Sequence, residues 1–179
     1  MYSIAHPNRT YMNMGRTIAS QRKIGNKKEL RDIKICVDVS GSVSEDTLNG
    51  YLSEINAIFK YFEVDGELIY WSTMVGDVGN FSELKDMLKV KPKSTGGTDV
   101  RCVFDYLSGK TKVNGKHEET KVRDISCVLI ITDGCFNTNY EDYARTFGNK
   151  TIWMLDGNYI TFDRLFGKVI SLLNDKGHS

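Results

Sequence analysis

Apolar positions along the 179-residue chain switch period several times, and each switch marks an element. Ile33-Lys34-Ile35-Cys36-Val37 is an apolar run of strand length. From Ser44 onward, Leu48, Tyr51, Leu52, Ile55, Ile58, Phe59 and Phe62 follow the i, i+3, i+4, i+7 spacing of a helix with one apolar face. Glu67 to Trp71 and Met74 to Val78, separated by a short turn, predict a hairpin, and Glu83 to Leu88 a short helix. Helical spacing returns at Val100, Val103, Phe104 and Leu107. Residues 109–124 (GKTKVNGKHEETKVRD) carry charge without period and are expected to project into solvent as a connector. Ile125 to Ile131 is the most apolar run and suits a central strand covered on both faces. A helix is expected around Tyr140, Tyr143, Ala144 and Phe147, then a strand over Thr151 to Leu155. Phe162, Leu165, Phe166, Val169, Ile170 and Leu173 predict a closing helix.

Alternation of strands and helices at these lengths implies a mostly parallel central sheet with helices on both faces, a three-layer α/β sandwich of Rossmann-like type. Residues 1–31 stand outside the pattern. They are polar and aperiodic, with six Lys or Arg before Arg31 against Glu29 as the one acid, and read as a basic arm packing on or flanking a domain that spans 32–179.

In open α/β sheets the ligand site lies beyond the carboxyl ends of the strands, and three polar clusters fall there. Asp38, Ser40 and Ser42 follow the first strand in DVSGS. Thr98 and Asp99 lie in GGTD, in the loop that opens a helix, and Asp133 follows the most apolar strand in LIITDG. In an extended turn alternate side chains point the same way, so positions 38, 40 and 42 can converge on one ion. Oxygen donors without imidazole or thiolate favour Mg²⁺, Mn²⁺ or Ca²⁺ over zinc. Gly41 keeps the wall of this turn low, glycines 96 and 97 permit close approach of the second loop, and Gly134 relieves crowding after Asp133.

Composition narrows the alternatives. With 40% hydrophobic and 26% charged residues the chain is long enough for one core, and 24 Lys plus Arg nearly balance 23 Asp plus Glu. No global field therefore recruits nucleic acid or an anionic membrane. The arm residues Arg22, Lys23, Lys27 and Lys28 come without an aromatic stacking motif, which argues further against a nucleic-acid reader. Apolar runs fall short of the ~20 residues of a membrane span, and MYSIAHPNRT lacks a signal-peptide segment, so a cytoplasmic protein is expected. Cys36, Cys102, Cys127 and Cys135 form no C-x-x-C pair, and neither a disulfide framework nor a zinc site is expected. His117-Glu118-Glu119 is followed by Thr and Lys, so the H-E-x-x-H of a zinc hydrolase is absent. Gly109-Lys110-Thr111 follows a helix and has Phe104 where a phosphate loop needs glycine.

D-x-S-x-S, then G-G-T-D, then an apolar strand ending T-D-G resembles the metal-ion-dependent adhesion site of von Willebrand factor A (VWA) domains, in the same order along the chain. DVSGSVS with GGTDV, ITDG and the upstream PNRT further resembles the C-terminal VWA-like domain of a bacterial family that carries a metallopeptidase label. The resemblance spans about residues 6–173. It implies a cation, Mg²⁺ first, coordinated through the hydroxyls of Ser40, Ser42 and Thr98, with Asp38 and Asp133 bound directly or through water. It also implies one position left for a carboxylate of a protein partner, with a AAA+ ATPase as one candidate partner. Catalysis is not part of the resemblance, and the enzyme label has no residues here to support it.

Local alternatives exist at each position. Ser42-Val43-Ser44-Glu45 fits a capping box, and Ser44 with Glu45 and Asp46 a simple N-cap. Capping accounts for neither Asp38 nor Ser40. Asp99 is better placed as the N-cap of the Val100 to Leu107 helix than as a ligand, and Asp156-Gly157-Asn158 as a turn. Two other classes compete: an Mg²⁺-dependent phosphate-ester hydrolase or phosphotransferase, weakened because DVSGS lacks the second Asp of a D-x-D nucleophile, and a metal-free scaffold in which DVSGS only caps a helix.

Overall fold

A computed structural model describes residues 33–61, 66–84, 97–134, 136, 141–156 and 165–171. The basic arm 1–31, Phe62, Gly96, Cys135, Tyr140 and Phe162 lie outside them.

The described residues form one six-stranded sheet in the order β3-β2-β1-β4-β5-β6. β1 (Ile33–Asp38) is central and runs parallel to both β2 (Glu67–Trp71) and β4 (Cys127–Thr132). β5 (Thr151–Leu155) and β6 (Lys168–Ser171) continue in parallel, and β3 (Val75–Asn80) closes the other edge antiparallel to β2. The predicted hairpin is present, its second strand starting one residue later and running to Asn80.

Alternation along β1 divides the interior in two. Ile35 and Val37 face α1 (Glu45–Tyr61), where Leu48, Tyr51, Leu52, Ile55 and Phe59 are buried in the predicted stripe. Cys36 faces the other layer, with Ile69, Trp71, Val128, Ile130 and Trp153 packed against Val103, Phe104 and Leu107 of α3 (Arg101–Leu107). Burial of both faces explains why β1, β4 and β5 read as continuous apolar runs. Phe104 is the hub of the second layer, with ring centroids 5.1 Å from Phe147, 5.2 Å from Tyr143 and 5.4 Å from Phe166. A 3-10 turn at Glu141–Tyr143 and α4 (Ala144–Phe147) bring in the Tyr143 and Phe147 rings, at the position expected for a helix, while α2 (Phe81–Leu84) overlaps the helix expected at 83–88 at Glu83 and Leu84, and 85–88 lie outside the described residues.

One expectation fails and another is met only in part. The chain leaves β1 to β2 on one side and returns to β4 and β5 on the other, and the closing segment then adds β6 instead of the helix predicted over 162–173. Gly167 takes a left-handed φ of 82°, and Val169 and Ile170 follow it as strand residues packed toward the two cores. The connector 109–124 is mostly exposed, as expected, but it is tied to the sheet at one side. The Lys34 ammonium on β1 reaches Glu118 Oε1 at 2.8 Å and Thr120 Oγ1 at 3.2 Å, and that side of the connector is held against the sheet.

Candidate functional site

Because the strand order reverses between β1 and β4, their carboxyl ends border the crevice where open α/β sheets bind ligands. Asp38 ends β1 there and is buried at 1% exposure. Its Oδ1 accepts the Ser40 N–H at 2.8 Å, which bends the chain out of the strand, and its Oδ2 accepts the Thr132 hydroxyl from β4 at 2.6 Å. Burial pushes the Asp38 carboxyl up from its ordinary range; the bonds from Thr132 and Ser40 oppose this, and the charge of Asp133 adds to it.

The turn continues through a bond from Val43 N to the Ser40 carbonyl, and places Ser40 Oγ 3.1 Å from Ser42 Oγ. Ser40 is buried, whereas Gly41 and Ser42 are exposed. Helix capping falls to Ser44, whose Oγ accepts the Thr47 N–H at 3.2 Å while Glu45 and Asp46 occupy the first turn of α1. Ser42 is therefore not consumed as a cap, and two hydroxyls stand side by side above a buried carboxylate.

Val39 N donates to the Trp71 carbonyl, and Asp99 N to the Ser72 carbonyl one residue on, so the Gly97 to Asp99 loop is carried by the end of β2 to the same edge of the sheet. A Cβ on Gly97 would lie 3.0 Å from Thr73 Cγ2, so a side chain there would need the exposed Thr73 methyl to give way. Thr98 is half-buried. Asp99 is engaged elsewhere: its Oδ1 accepts from Arg101 N at 3.1 Å, the bond of a capping carboxylate, and its Oδ2 accepts from Arg101 Nη2 at 2.7 Å. The Arg101 hydrogen bond holds the Asp99 carboxyl below its usual range. Asp133 is half-buried directly after β4, and Gly134 takes φ 83° and donates its N–H to Thr132 Oγ1 at 3.2 Å.

Hydrogen bonds thus tie Asp38, Ser40 and Ser42 into one unit, the field of Asp133 acts on it, and Thr98 arrives through the β2 connection. Among the described residues no three His, Cys, Asp or Glu side chains gather so as to hold a metal, and a cation here would have to rely on hydroxyl oxygens. One residue escapes the sequence reading, and another is set aside by it. Thr132 was visible only as the residue before Asp133, with no sign that its hydroxyl crosses to β1. Asp156, read as part of a turn, is bonded by its N–H to the Thr132 carbonyl and accepts the Tyr51 hydroxyl from α1, which braces the same edge from the opposite layer.

Among the described residues no helix is long and apolar enough to cross a membrane. A family model described as VWA-like domain (DUF2201) matches residues 33–172. No curated protein matches the chain.

Proposed function

The chain belongs to the VWA-like domain family, and on that premise we propose that it is a divalent-cation-dependent protein-interaction module. Asp38, Ser40, Ser42, Thr98 and Asp133 would hold the ion, with Gly41, Gly97, Asp99 and Gly134 shaping the loops around them. The observation that carries the reading is the Ser40 and Ser42 pair, 3.1 Å apart, spared from capping and set above buried Asp38. The donor chemistry fits a hard cation of the Mg²⁺ class, with Mn²⁺ or Ca²⁺ as alternatives.

A bound Mg²⁺ held largely by neutral hydroxyls stays electrophilic and supplies a Lewis-acid position for one more anionic oxygen. The chain's own residues supply the rest. Thr132 and the Ser40 N–H orient the Asp38 carboxylate, and Ser44 anchors α1 so that the turn before it keeps its shape. The partner is a protein that presents an Asp or Glu side chain, with a AAA+ ATPase as one candidate. We assign the domain no catalytic role and place it in the cytoplasm, a setting compatible with the free buried thiols of Cys36 and Cys127.

Thermal unfolding after chelation, with and without millimolar Mg²⁺, tests the site. An ion at 100 times its dissociation constant adds about 2.7 kcal/mol to native stability, and the rise is expected in wild type and absent in Ser40→Ala. Equal rises in both proteins would sink the assignment. Recovery of the same partners by wild type and Ser40→Ala would sink metal-mediated capture.

A further inference from the structure

A second polar cluster occupies the opposite end of the same strand. Lys34 and Asp38 share one face of β1, roughly 13 Å apart along it, and Lys34 is 1% exposed at the amino end. Its ammonium donates to Glu67 Oε2, to Glu118 Oε1 at 2.8 Å and to Thr120 Oγ1 at 3.2 Å. An ammonium has three N–H donors, so these acceptors exhaust it and leave nothing to hold an anion.

The acceptors are not exhausted. The Glu118 side chain is 4% exposed, yet its Oε2 accepts no well-formed hydrogen bond, although the Tyr106 hydroxyl lies close enough to feel the carboxylate. Two carboxylates face a single ammonium, so the cluster carries excess negative charge. Such a buried acceptor is costly until a donor reaches it. Glu67 and Glu118 both line a cavity of about 680 Å³ between the end of β3 at Val78 to Asn80 and the connector. Tyr106 of α3 forms part of its wall. At the connector side exposed Glu119 adds a third carboxylate beside exposed Lys116 and His117.

We propose that this cavity binds a cationic hydrogen-bond donor, a guanidinium or primary ammonium group, carried by a free small molecule or by a basic side chain of another protein. A guanidinium suits it best, because a planar fork of five N–H donors can serve several carboxylate oxygens at once. The pairing with Lys34 gives the site selectivity: it holds the carboxylates in place while consuming all of its own donors.

The test is an NMR titration of the isotopically labelled chain with methylguanidinium and, separately, with an end-blocked arginine peptide, against potassium at equal ionic strength. Saturable shifts at Gly79, Asn80, Glu118 and Thr120 are expected. Glu67→Gln keeps an oxygen for Lys34 but removes the excess charge, and should weaken binding roughly tenfold. Glu119→Gln, on an exposed residue, should weaken it by less and serves if the first variant does not fold. Binding of both probes assigns the site to small cations, and binding of the peptide alone to a protein's side chain. Shifts no larger than those with potassium, or binding undiminished in both variants, would overturn the proposal.

Discussion

Thr132 donates its hydroxyl to Asp38 Oδ2 at 2.6 Å, across the boundary between β4 and β1 where the strand order reverses. Together with the Ser40 N–H on Oδ1, this bond orients the carboxylate at the base of the candidate site, and the same hydroxyl oxygen accepts the Gly134 N–H at 3.2 Å, which shapes the exit toward Asp133. Thr132→Val keeps the shape and removes both roles. A buried carboxylate deprived of a donor costs about 1–3 kcal/mol, so urea unfolding should show that loss in the chelated protein. The Mg²⁺-induced rise in midpoint should also shrink. Full retention of both would mean that the bond neither orients nor stabilises Asp38.

Asp38 carries a pH signature with a definite sign. Its carboxyl is raised in the folded, metal-free domain, chiefly by burial. A group raised on folding contributes stability below its unfolded pKa, and that contribution is lost as pH rises through the folded value. Chelated wild type should therefore lose stability between mildly acidic and neutral pH through this group, and Asp38→Asn should lack that component. At neutral pH the chelated variant should be at least as stable as wild type, and with Mg²⁺ the order should reverse. Thermal midpoints across a pH series check this; a chelated Asp38→Asn that unfolds well below wild type at neutral pH would mean the buried charge is satisfied without metal.

Elements with long, two-sided or strongly periodic burial were legible in the sequence. The strand over Thr151 to Leu155 has the boundaries its apolar run predicts, and α1 carries the stripe read from Leu48 to Phe59. The polar clusters were placed at one edge of the sheet because motif and topology agree there. What stayed hidden was pairing between distant residues. Lys34 sits in an apolar strand with nothing local to announce that Glu67 and Glu118 would neutralise it, and Glu118 looked like part of a solvated charge run. The closing helix was misread because Leu165, Phe166, Val169 and Ile170 satisfy helical spacing, while Gly167 between them is held in a conformation that ends any helix.

Gly167 is therefore a sharp point of sensitivity. Besides its φ of 82°, a Cβ there would collide with the Thr151 carbonyl oxygen and lie 3.2 Å from that of Gly148. Gly167→Ala should cost about 2 kcal/mol or more and loosen β6, along with the bond from Trp153 Nε1 to the Phe166 carbonyl at 2.7 Å. Gly109 shares the left-handed conformation, at φ 74°, but a Cβ there meets nothing within 4 Å. Gly109→Ala should cost only the conformational part, about 1 kcal/mol. Denaturant unfolding of the two variants separates collision from backbone strain, and equal losses would show that β6 yields without cost.

Lys34→Met removes the ammonium and leaves Glu67 and Glu118 facing each other at the amino end of β1. Breaking a buried pair from one side costs about 3 kcal/mol, the lower figure being apt because Glu67 retains 23% exposure. The pH dependence gives the clearer diagnosis. In wild type, burial tends to raise the Glu118 carboxyl, but bonds from Lys34 and Thr120 and the Lys34 charge outweigh it and hold it low. Its contribution is then present above the unfolded pKa and lost as pH falls through the folded one. Glu67 is raised by burial despite Lys34 and contributes the opposite slope, so the wild-type profile should be shallow. Without Lys34 both carboxyls are governed by burial and mutual repulsion, both are raised, and stability should climb as pH falls. Adding Glu118→Gln to Lys34→Met should recover part of the loss at neutral pH, since one unpaired charge is gone. Protection of the Thr120 amide, which donates to Glu118 Oε1 at 3.0 Å, should fall in Lys34→Met as the connector detaches. A variant with unchanged protection and a wild-type pH profile would show that the connector is held by packing alone, with the ammonium incidental.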